Sequence, residues 1–125
     1  MAIAAAGLAA AVTAWPLTRD VIIADNDATA RELAEHHIMV SYRDEYAGSW
    51  KHPFIDSRVA TDLESLRRDR FIIGGPEQCI AQMRGFVEAY GMTHMICRLF
   101  FPGMPHQHIM RELELLAREV MPAFQ

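Results

Sequence analysis

Arg70-Phe71-Ile72-Ile73-Gly74-Gly75-Pro76-Glu77-Gln78 decides how this chain is read. Phe71-Ile72-Ile73 is a short apolar run bounded by glycine, the pattern of a buried strand. Gly75 then suits a helix cap, Pro76 the first helical position, and Glu77 the positive end of the helix dipole. Downstream, Ile80, Met83, Val87 and Tyr90 recur at helical spacing, backed by Cys79 and Phe86, and Gly91 stops the helix. Thr93 to Phe101 is a further strand, apolar except for His94 and Arg98. Pro102-Gly103-Met104-Pro105 makes a turn. Ile109, Leu113, Leu116, Ala117 and Val120 then mark a last helix, ended by Pro122.

Upstream the same alternation holds. Thr18 to Ala24 is a β-branched run, and Asp25-Asn26-Asp27 offers a helix N-cap. From Ala28 a helix places Ala30, Leu33, Ala34, His37 and Ile38 on one face. Residues 43–57 read as a loop with helical turns, and Val59 to Asp69 as a short exposed helix at best. Strands alternating with helices imply βαβ units and a parallel sheet, and strands without polar alternation imply burial on both faces. Three strands leave both outer edges unpaired. The chain therefore reads as part of a larger α/β structure, or as a protomer whose sheet a second chain completes.

The 125 residues make one domain. It divides into an Ala-rich helix at 1–16, a strand–helix unit at 17–42, an aromatic and polar insertion at 43–69, and a strand–helix–strand–helix unit at 70–125. With 51% hydrophobic and 22% charged residues the chain is neither disordered nor collagen-like. The net charge of −4, with scattered arginines and a single Lys51, argues against a nucleic-acid partner. Met1 to Trp15 is shorter than a membrane span and has no basic residue before Arg19, so a packed Ala-rich helix is expected, with an exported chain, for which Val12-Thr13-Ala14 resembles a cleavage site, as the alternative. A cytoplasmic protein follows, with Cys79 and Cys97 as buried thiols rather than a disulfide.

Phe71-Ile72-Ile73-Gly74-Gly75-Pro76-Glu77-Gln78 resembles the strand and Gly-x-Pro-Glu helix start near the C-terminus of the bacterial luciferase-like flavin monooxygenases. Gly91 to Arg98 looks like that family's last barrel strand, and Phe101-Pro102-Gly103-Met104 like the turn after it. Arg118 to Phe124 is similar to its closing helix. Arg19 to Asp25, followed by Ala28 and Ala30, resembles an earlier strand and helix. The resemblance implies the C-terminal part of a (β/α)8 TIM barrel, incomplete here because a full barrel takes about 250 residues. It also implies a reduced flavin, FMN or F420, and oxidation of a small-molecule substrate. The alternative is a non-catalytic α/β module, a truncated barrel that self-associates. The expected partner is accordingly a second copy of the chain, or the missing N-terminal half of the barrel.

Arg98 is the leading cofactor-binding candidate, a charge in an apolar strand near the end where barrel sites are built. It suits a flavin carbonyl, a phosphate or a substrate oxyanion, or else an ion pair with a helix carboxylate such as Glu119. Gly74 and Gly75 present backbone N–H groups at a helix start, a generic anion site, although capping alone also explains them. Phe100, Phe101 and Met104 are candidates for an apolar substrate wall, or for ordinary core. His94 starts its strand and so lies at the opposite end. His36-His37 and His106/His108 have no acidic partner nearby, so no metal is expected. Tyr42, Tyr46, Trp50, His52 and Phe54 suggest a lid over the site or a cover for exposed sheet. No catalytic residue stands out.

Overall fold

The computed structural model describes residues 14–44 and 62–125. The expected Ala-rich helix, and the lid residues Tyr46, Trp50, His52 and Phe54, lie outside them. In chain order the elements are β1 (Pro16–Ile23), α1 (Asp27–Ser41), α2 (Leu63–Asp69), β2 (Phe71–Gly74), α3 (Pro76–Tyr90), β3 (His94–Arg98) and α4 (His106–Leu115). A π turn (Leu116–Val120) and a 3-10 turn (Met121–Phe124) close the chain.

The caps follow local chemistry. Asn26 accepts from the Thr29 amide at the start of α1, and Asp62 from the Ser65 amide at the start of α2. Gly75 caps α3 with Pro76 in its first turn, and Gly91 ends it in the left-handed region at φ 64°.

All three strands are parallel, in the order β2-β1-β3. The central strand is the longest, and its two neighbours sit at different heights. β2 pairs with Asp20–Ile23, while β3 pairs with Pro16–Asp20. Three consecutive barrel strands would put β2 in the middle with every helix on one face. Here β1 is in the middle and helices lie on both faces. Ile22 and Ile73 meet α1 and α2 on one side; Val21, Ile23 and Ile72 meet Cys79, Met83 and Phe86 of α3 and Leu115 of α4 on the other. Right-handed crossovers leading to opposite sides of a strand place their helices on opposite faces.

Three expectations change. The helix at 63–69 is short, but Leu63 and Leu66 are buried rather than exposed, because they close the core under Phe71. β3 is not buried on both faces. Met95 and Cys97 face the core, whereas Ile96 is 53% exposed beside exposed His94 and Arg98. In α4 the inward residues are Glu112 and Leu115, followed by Val120 in the π turn; Leu113 and Ala117 of the expected stripe face out.

The strand edges differ too. At the outer edge of β2 the Gln82 side chain accepts from the Ile73 amide at 3.0 Å and donates to its carbonyl at 2.9 Å. A side-chain amide thus stands in for a fourth strand. β3 has no strand partner on its outer side among the described residues.

Candidate functional site

The register brings Asp20 and Arg98 side by side, so their side chains share a face of the sheet. Arg98 Nε donates to Asp20 Oδ1 at 2.5 Å. Asp20 is 6% exposed, and burying a carboxylate is unfavourable without such a partner. The ion pair foreseen for Arg98 is real, but its partner is Asp20 on β1 and not Glu119.

β2 starts opposite Asp20, so among the described residues β1 from Pro16 to Arg19 has no strand partner on that side. A cleft of about 380 Å³ lies there, lined by Arg19, Asp20, Tyr42, Arg70, Tyr90 and Arg98 among others. The Arg19 guanidinium lies 4.7 Å from the centre of the Phe86 ring, and one of its nitrogens donates to the Thr18 carbonyl. Its buried Nε has no hydrogen-bond partner among the described residues. Burial pulls its pKa below the ordinary value. A second cleft of about 240 Å³ shares Asp20, Tyr42 and Arg98 and adds Ile38, Phe100 and Phe101. The two clefts share Asp20, Tyr42 and Arg98, and three arginines with the carboxylates of Asp20 and Asp69 line the larger.

The other expected site residues divide. Phe100, 65% exposed, lines the smaller cleft, and Phe101 lines it while packing into the core. Met104 is buried in the same core, so core packing explains it. Gly74 and Gly75 are buried on the other side of β1 from Arg98. Gly74 is level with Ile23 and Arg98 with Asp20, about 10 Å apart along the strand direction. A Cβ on Gly74 would lie 3.2 Å from Asp27 Oδ1 and 2.7 Å from Gln78 Cβ. The Asp27 carboxylate thus lies close to the Cα of Gly74. Asp27 is held by Arg31 at 2.6 Å and Arg67 at 2.7 Å, and hydrogen bonding, first from Arg31, keeps its carboxyl below its usual pKa. Cys79 and Cys97 are free thiols; Cys79 is buried, with its pKa pushed up to about 12 by desolvation, and Cys97 is half-buried.

Two polar residues escape a sequence reading. Asp20 is a charge at the start of a β-branched run, a signal of the kind that singles out Arg98. Glu112, 1% exposed, accepts from the Ile23 amide at 3.1 Å. Burial raises its pKa to about 8. Among the described residues no helix is long and apolar enough to cross a membrane, and no group of three or more metal-ligating side chains occurs.

No family model matches the chain, and no curated protein matches it. Its fold is similar to a solved structure of a type II Baeyer-Villiger monooxygenase, the oxygenating constituent of 3,6-diketocamphane monooxygenase from the CAM plasmid of Pseudomonas putida, in complex with FMN. The match has a TM-score of 0.64 and 24% identity, and covers 86% of this chain and 33% of that one. The chain thus shares its α/β architecture with about a third of an FMN-containing monooxygenase.

Proposed function

We propose that this chain contributes the flavin site of a luciferase-like, FMN-dependent oxidoreductase acting on a small organic substrate. The observation that carries this reading is the Arg98–Asp20 pair between β3 and β1, which lines both clefts. FMN presents a phosphate and a flat aromatic ring. Arg19, Arg70 and Arg98 suit the first by charge-assisted hydrogen bonds, and Tyr42 and Tyr90 suit the second by stacking. When bound, reduced FMN would supply two electrons for the reduction of O2, of which one oxygen atom oxidises the substrate and the other leaves as water. Asp20 would fix the Arg98 guanidinium in position, and Phe100 and Phe101 would offer the apolar wall for substrate. The FMN of the structural neighbour favours FMN, and no comparison supports F420.

In this reading the flavin lies against β1 and β3, where Asp20 and Arg98 meet. FMN titrated into the purified chain should show saturable quenching of flavin fluorescence. Arg98→Gln should weaken binding by about tenfold or more, the loss of one charge-assisted hydrogen bond. Absence of saturation at millimolar FMN overturns the proposal.

The outer edge of β3, unpaired among the described residues, and the exposure of Ile96 favour a second reading, a non-catalytic module that pairs with its own copy. Sedimentation should then show a dimer at micromolar concentration that Ile96→Lys converts to monomer. A wild-type monomer at all concentrations refutes it.

A further inference from the structure

β3 ends level with Asp20, three residues before the end of β1, so the Ile23 amide has no strand partner on that side. Glu112 fills the gap from α4. Its Oε1 accepts from that amide at 3.1 Å, while Oε2 is buried with no hydrogen-bond partner among the described residues. The neighbouring tie between α4 and the end of β1 is the exposed Arg111–Asp25 pair at 2.5 Å, with Arg111 also bonded to Glu114.

We propose that Glu112 is a protonation-operated latch that docks α4 onto the carboxyl end of β1 and releases it when ionised. The neutral acid satisfies Ile23 and leaves one orphan oxygen. The carboxylate would leave a buried charge with a single amide as partner, which favours local opening. Among the described residues no cation bonds to it to offset that charge. In the same cluster as α4 lie the Cys79 thiol of α3, neutral at ordinary pH, and the Cys97 thiol of β3, whose pKa burial also raises. Beyond the end of β1, Asp25 is engaged by Arg111. Across the sheet Asp27 is engaged by Arg31 and Arg67, and Arg98 of β3 by Asp20. Hydrogen bonding lowers the Asp25 pKa and raises that of Arg111, so this pair stays ionised through neutral pH and acts as a tether, not a switch. Opening would expose the carboxyl end of β1 beside β3. In open α/β sheets that crevice, where crossovers diverge, is the place ligands bind. The proposal rests on the fold and is independent of flavin binding.

Hydrogen exchange at the Ile23 amide of the full chain, followed by NMR from pH 6 to 9.5 and corrected for intrinsic rate, tests it. Protection in the wild type should fall by about tenfold or more across the transition, and Glu112→Gln should hold it nearly constant. An equal fall in both proteins overturns the latch. If Glu112→Gln does not fold, the side-chain carboxyl signal of Glu112 in the wild type decides. A midpoint near pH 8 supports the proposal and one below pH 5 refutes it.

Discussion

Phe71→Ala is expected to lower the stability of the chain by about 3–5 kcal/mol, the largest loss expected from truncating any single side chain of the core. Phe71 is wholly buried and heads the side chains with the least exposure in the core. It opens β2, pairs in register with Asp20, and meets the Tyr42 ring edge-on at 5.0 Å between centres. Truncation removes the transfer free energy of the ring and leaves a cavity walled by Leu63, Leu66 and Ile38, which the sheet holds open. With a total stability of about 5–15 kcal/mol for a domain, the melting temperature should fall by roughly 10–20 °C. Tyr42 lines both clefts beside Arg98, so the same substitution should also weaken FMN binding. Phe71→Leu, which keeps most of the volume, should recover more than half of the loss. A melting point within about 3 °C of wild type for Phe71→Ala would contradict the core described above.

The second large effect is a loss of stability on the alkaline side, read by chemical unfolding at a series of pH values. Glu112 has its pKa raised in the fold from an ordinary 4.5 to about 8. Between those values the folded chain keeps a proton that the unfolded chain has released. Stability is therefore full below pH 4.5 and declines as pH rises towards 8. The limit is about 1.4 kcal/mol per pH unit. Relaxation and local opening around the carboxylate hold the decline below that limit, at about 2–3 kcal/mol. Glu112→Gln should remove it and exceed wild type in stability at pH 8 and above. A wild-type profile that is flat from pH 5 to 8.5 would show that Glu112 ionises normally in the fold.

The parts legible in the sequence are those set by neighbours along the chain. Asn26 as N-cap, Gly75-Pro76 at a helix start, Gly91 at a helix end and the apolar runs of β1 and β2 need only local chemistry. What depends on assembly is hidden. Apolarity alone does not show that β3 lies at an edge, so it gives no sign that Ile96 is exposed. Leu63 and Leu66 sit among charges, and only the closure of α2 beneath Phe71 buries them. Arg98 stands out as a charge in a strand, but Asp20 is 78 residues away and joins it only through the register of β1 and β3. The acidic residue at 112 falls outside any apolar stripe drawn through α4. Its burial follows from the gap that a short β3 leaves beside Ile23. The turn at Gly74-Gly75 invites a phosphate in sequence, and the tertiary fold sets the Asp27 carboxylate close to Gly74.

The central place of β1 also sets a schedule for synthesis. The strand that both neighbours need as a template leaves the ribosome first, and Phe71 follows Ile23 by 48 residues. At about 5–20 residues per second the nascent Val21-Ile22-Ile23 waits some 2–10 seconds for β2. During that interval the trailing Asp25-Asn26-Asp27, with its two negative charges, guards the run against pairing with another nascent chain.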